Sequence, residues 1–240
     1  MPNSDGGIFR GARWAPVVGT LCLVALGITG AGSTSTALAD AQNPPSMCFD
    51  GPAGCEPQDF DNMFPTKNTP WDCHGKTIKP RRFCQTDNKV LTVWHDKDEI
   101  EASGWNRLKA VLKKDFDGTT DLRLKFHKKP ILSGPAETDI IYTSPKKFPA
   151  GIHGLTWCEN RVDKVKCDQH YVMFKSATPG KVYACHETGH AVGLTHGNRA
   201  YPEVDNQDPR LGCMITPPRA GVPGAETLGP HNRKMINKTY

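Results

Sequence analysis

The eleven residues from His186 to His196, HETGHAVGLTH, constrain this chain more tightly than any other stretch. His186 and His190 are four positions apart, about 400° of α-helical rotation, so both imidazoles project from one face, one turn apart. Glu187 lies about 100° further round and stands beside that pair. A continuing helix would carry His196 about 240° away from His190, on the wrong side. Gly193 resolves this, because glycine takes the left-handed conformation that ends a helix at little cost. The spacing therefore predicts a helix opened by Thr178 and Pro179, a stop at Gly193, and a turn that brings His196 back to the first two histidines.

Three neutral imidazole nitrogens suit zinc, and they leave one tetrahedral position open, as catalytic rather than structural sites do. A carboxylate beside such a site has the position of a general base. His186, His190 and His196 are thus read as ligands of one catalytic Zn²⁺. Glu187 is read as the base that would take a proton from metal-activated water during peptide-bond hydrolysis. The alternative is a secreted, disulfide-rich zinc-binding domain without hydrolytic activity; Glu187 argues against it, since a bare metal site has no need of a base.

The flanking sequence reads as that of an exported protein. Arg10 and Arg13 precede an apolar run from Trp14 to Ile28, and ALAD offers a cleavage site after Ala39, so residues 1–39 are expected to be a signal peptide. Of nine cysteines, Cys22 falls in that leader, and the remaining eight suit an oxidising, extracellular compartment. Eight cysteines permit 105 connectivities. Their spacing favours Cys48–Cys55, Cys73–Cys84 and Cys158–Cys167, and leaves Cys185 and Cys213. No C-x-x-C occurs, which disfavours a zinc ribbon. The formal charge of +5 is weak and scattered, so nucleic acid is not an expected partner, nor is a membrane after leader removal. The chain reads as a monomer acting on a protein or peptide.

Residues 40–87 are rich in Pro, Asp, Asn and Gly and read as a disulfide-stapled segment, either a cap or a pro-region. Residues 88–240 read as the catalytic domain. KVLTVWH alternates as a strand, and SGWNRLKAVLKKDF has helical spacing with Ser103 as N-cap. DLRLKFH, TDIIYTS, GLTWCEN and CDQHYVMFKS read as further strands, and GPHNRKMINKTY as a terminal helix. Asp115 to Asp121 offers oxygen atoms that could hold Ca²⁺, but lacks the twelve-residue spacing and closing glutamate of a calcium loop; a helix-ending turn is the better reading.

HETGHAVGLTH resembles the extended motif of the metzincin zinc metallopeptidases at every defining position, most nearly that of small secreted bacterial members of the snapalysin kind. The resemblance covers about residues 88–240. It implies an α+β, zincin-like fold: a twisted mixed sheet of about five strands with an antiparallel edge strand, an active-site helix and a C-terminal helix. It also implies a methionine turn below the zinc, for which GCMITPP supplies Met214. Gly154, Leu155, Thr156 and Trp157 would form the edge strand on which an extended substrate lies. A Cys185–Cys213 bridge would then tie the helix to the methionine turn. Two departures stand out. Snapalysins typically use aspartate as third ligand where this chain has His196, and astacin-like members carry a tyrosine where it has Thr216.

Overall fold

A computed structural model describes residues 58–77 and 79–240; the expected leader and the Cys48–Cys55 pair lie outside them. The described residues belong to one compact unit, Glu56–Tyr240. Its centre is a mixed sheet of six strands: β1 (Gln85–Thr86), β2 (Val90–His95), β3 (Arg123–Phe126), β4 (Ile140–Thr143), β5 (Gly154–Arg161) and β6 (Lys166–Phe174). The strand order is β1-β6-β4-β2-β3, with β5 paired to β6. Every pairing is parallel except β5 with β6, which form an antiparallel hairpin. The expectation of about five strands is corrected to six. β1 has only two residues, too few to show a period in sequence.

Period-two alternation buries one row of side chains per strand. Leu91 and Val93 of β2, Ile140 and Tyr142 of β4, and Val172 and Phe174 of β6 share one apolar cluster. It is covered by Leu108 and Val111 of α1 (Ala102–Val111), by Leu112 and Phe116 of the π-type turn that extends α1, and by Ala184 and Cys185 of α2 (Lys181–Ala191). β2, α1 and β3 make a crossover unit, as two adjacent parallel strands require. The last helix, α3 (Gly229–Thr239), packs on a tight 3-10 segment, Pro209–Met214; Asn232 donates to the Leu211 carbonyl at 2.6 Å.

Two helix starts differ from the sequence reading. α1 is flanked by Glu101 rather than capped by Ser103, because the Glu101 carbonyl already accepts the Trp105 amide at 2.8 Å. α2 begins at Lys181 after Gly180. Thr178 is engaged in a local turn in which its amide donates to the Ser176 hydroxyl at 3.2 Å, and the Thr178 and Pro179 carbonyls accept from Arg107.

Residues 58–77 and 79–84 are irregular but well anchored. Phe60 and Met63 join the main core, and Asp61 and Met63 form isolated bridges with Tyr201 and Leu194. Asn62 is fully buried and donates both to the Thr195 carbonyl and to Asn232, joining the segment to the end of the histidine motif and to α3. Phe64, Cys73, Cys84, Cys158 and Cys167 make a second buried cluster.

His170 of β6 is fully buried beside that cluster, where its Nε2 accepts the Cys84 amide at 3.4 Å. Burial pushes its pKa down from 6.5 to about 3. The imidazole is neutral in the fold and protonates on unfolding, so its contribution is complete above pH 6.5 and is lost as pH falls toward 3. Between pH 7 and pH 4 the urea unfolding free energy of the wild type should fall by about 3 kcal/mol more than that of His170→Gln. Parallel pH slopes for the two proteins would refute this.

Candidate metal centre

α2 brings His186 and His190 to one face, and the chain then stops where the glycine stands. Gly193 has φ +94°, its amide donates to the His190 carbonyl at 2.9 Å, and the Leu194 amide reaches back to the Gly189 carbonyl at 2.9 Å. This is a Schellman-type ending, which satisfies the last carbonyls of the helix and reverses the chain. His196 returns to the first two histidines as a result. The three Nε2 atoms form a nearly equilateral triangle with sides of 3.2, 3.0 and 3.1 Å.

The protons on two of these rings are fixed by backbone carbonyls. His186 Nδ1 donates to the Cys213 carbonyl at 2.7 Å and His190 Nδ1 to the Leu194 carbonyl at 2.8 Å. In neutral rings that leaves each Nε2 as a bare lone pair. Burial lowers the pKa of His186 to about 4 and that of His196 to about 3, and it holds His190 well below the ordinary histidine range. Lone pairs facing one another across 3 Å repel unless a cation lies between them. A four-coordinate metal with bonds of about 2.0–2.1 Å spaces its nitrogens roughly 3.3 Å apart, so the triangle fits an ion within a few tenths of an ångström. These residues could hold a metal ion.

Two other gatherings of potential ligands exist among the described residues. In one, Cys73, Cys84 and Cys158 are already consumed by disulfides. In the other, Asp87, Asp139 and Asp168, the Asp139 carboxylate accepts the Thr92 amide. Asp115, Asp117 and Asp121 are not gathered together: Asp115 is buried and Asp117 accepts the Leu124 amide, as in a helix-ending turn.

Glu187 is buried on the neighbouring face of α2 and lines the same cleft of about 570 Å³ as the three histidines. Thr156 of β5 holds it: the threonine hydroxyl lies 2.7 Å from Oε2 and 3.0 Å from the Glu187 carbonyl. Oε1 faces Gly154, where a Cβ would overlap it. Burial raises this carboxyl to about 7, against the Thr156 hydrogen bond, which lowers it.

Met214 is fully buried, with its sulfur against Gly189 between the two helical ligands, in a gap that a side chain at 189 would fill. Cys185 is bonded to Cys213, with Cα atoms 5.9 Å apart, so the bridge joins α2 to the turn whose carbonyl orients His186. Cys73–Cys84 and Cys158–Cys167 are also bonded. Sequence reasoning missed the two carbonyls that fix the imidazoles, the Thr156 clasp on Glu187, and Phe83, which stacks on His190 with ring centres 4.3 Å apart. The cysteine next to the first ligand was the one visible signal for any of these, through Cys213.

No protein-family model matches the chain, and no characterised protein sequence matches it. Geometry and chemistry alone must therefore carry a functional reading.

Gly193→Ala tests the turn. A Cβ there would lie 2.9 Å from both Met63 Sδ and Gln85 Cγ, on a backbone with φ +94° that alanine rarely adopts. The substitution should cost about 1–3 kcal/mol of stability. It should also weaken any binding of added divalent metal ion roughly tenfold or more by displacing His196. Competition with a chromophoric chelator measures the second effect, and unchanged affinity would show that the turn does not set the position of His196.

Proposed function

We propose that this protein is a secreted zinc-dependent endopeptidase of the metzincin type. The observation that carries the reading is the pairing of a three-Nε2 triangle with a clasped, buried carboxylate on the next face of the same helix, both open to one cleft. Three disulfides fit an oxidising destination, and no helix of the described residues is long and apolar enough to cross a membrane.

His186, His190 and His196 would hold the zinc. When bound, zinc supplies Lewis acidity, which polarises a carbonyl and makes water more acidic. The protein does the rest. Thr156 anchors Glu187 through Oε2, so Oε1 is the oxygen left to take a proton from the attacking water. Held in place by Thr156, Glu187 would then deliver that proton to the departing amide nitrogen. Gly154, having no side chain, keeps Oε1 accessible beside β5. Met214 and the Cys185–Cys213 bridge keep the ligands fixed through this cycle. β5 supports substrate placement: an extended peptide could pair with the outward backbone groups of Gly154 and Thr156.

Glu187→Gln should retain one zinc per chain by metal analysis while peptide cleavage falls roughly 10²–10⁴-fold. Stripping the wild type with a chelator should abolish cleavage, and added zinc should restore it. Full cleavage by the glutamine variant would remove Glu187 from its role. A zinc-loaded wild type that cleaves no peptide in a broad library would instead leave a binding domain.

A further inference from the structure

The stretch between Cys73 and Cys84 supplies no metal ligand, yet Arg81, Arg82 and Phe83 line the same cleft as His186, Glu187 and His190. It is firmly held there. The Cys73–Cys84 bridge shares a buried cluster with Cys158–Cys167, and Phe83 stacks on the His190 ring. The Arg82 carbonyl accepts the Cys158 amide at 2.8 Å, so this stretch already occupies part of the outer edge of β5.

How much edge remains follows from the alternation of antiparallel pairs. Across the hairpin, the Lys175 amide donates to the His153 carbonyl at 3.0 Å. Residues 153, 155 and 157 therefore face β6, while 154, 156 and 158 face outward. Cys158 is engaged by Arg82, whereas the backbone groups of Gly154 and Thr156 have no backbone partner among the described residues. These two flank Glu187. An antiparallel peptide seated on them would run its N-terminal end toward Cys158, and Arg82 would stop it there.

That end of the cleft is cationic. The Arg81 guanidinium lies 4.8 Å from the Trp157 ring centre, Arg82 4.8 Å from that of Trp71, and Arg199 5.6 Å from the same Trp71 ring. An aromatic face orients a guanidinium but cancels none of its charge. Among the described residues, none of the three arginines has a carboxylate partner. Glu187, the one carboxylate lining the cleft, is taken by Thr156.

We propose that Arg81 and Arg82 form a carboxylate-binding subsite that selects peptides with Asp or Glu within the few residues on the N-terminal side of the cleaved bond. The cleavage half of this rests on the peptidase reading above; the binding half does not. The guanidinium fork suits a carboxylate, and the closed edge limits main-chain pairing to a short stretch, which leaves discrimination to side chains.

The test uses matched peptides carrying Asp, Asn or Lys at the positions before the bond. Glu187→Gln should bind the Asp peptide roughly tenfold more tightly than the Asn peptide. Wild-type kcat/KM should show the same order. In an Arg81→Ala/Arg82→Ala background the difference should vanish; if that variant does not fold, Arg81→Gln/Arg82→Gln gives the same comparison. Equal binding of Asp and Asn peptides by Glu187→Gln would overturn the subsite, as would a preference that survives loss of the arginines. Selective binding by Glu187→Gln with no cleavage of any peptide by the wild type would instead refute the peptidase reading and leave the subsite standing.

Discussion

Three imidazole Nε2 atoms meeting at about 3.1 Å form the constraint around which the rest of this structure is arranged. Such a meeting is unfavourable in an empty protein interior, so the surroundings must hold it in place. They do so from the far side of two rings. The carbonyls of Cys213 and Leu194 take the Nδ1 protons and turn the Nε2 atoms inward. One of those carbonyls comes from the turn beside Met214 and the other from the chain just after Gly193. A cation converts the repulsion into attraction, and each ring then needs no further rearrangement.

Holding two carbonyls in place requires two frames, and both are covalently or cooperatively tied. The Cys213 side is bonded to α2 itself through Cys185, and its amide donates to the Thr227 carbonyl at 2.7 Å. The Leu194 side is gripped by the irregular N-terminal stretch: the Phe64 amide donates to the Gly193 carbonyl at 2.7 Å, and the Thr195 amide donates to Asn62. Asn62 in turn bonds Asn232 of α3, which holds the Leu211 carbonyl two residues before Cys213. One buried asparagine pair therefore links the frames on either side of the imidazole triangle. Their side-chain amides are satisfied by bonding, which is what makes burial of such polar groups tolerable.

The parts legible in sequence were those with a local period or a local chemical requirement. The two-histidine face and the glycine stop follow from helix geometry within eleven residues. The strands from Val90 to Phe174 follow from alternation, and the close cysteine spacings predicted the hairpin staple across β5 and β6. What could not be read depends on contacts distant in sequence. Thr156 is an ordinary strand residue until the fold sets it against Glu187, thirty-one positions later. The carbonyl of Cys213 and the ring of Phe83 have no signature, since any residue has a carbonyl and most phenylalanines only pack. β1 is defined by its neighbour β6, not by its own two residues. The helix starts were misread for a similar reason: Thr178 has the right side chain for a cap, but Arg107 of α1 and the hydroxyl of Ser176 engage that turn first.

The same dependence on distant contacts explains why the cleft is asymmetric. β5 belongs to the sheet only through β6, and a strand attached on one side has a free edge that a protein must either cover or use. Here the edge is divided. Near Cys158 it is covered by the Arg82 carbonyl and stiffened by two disulfides that share one buried cluster. Near Gly154 no described residue pairs with it, and the glycine is required there because Glu187 occupies the space a side chain would need. The open stretch thus lies where the carboxylate and the imidazoles converge, and the covered stretch lies where the guanidiniums gather. A short open edge next to a rigid, charged stop is a poor template for indiscriminate strand pairing and a good one for placing a single segment of chain against Glu187.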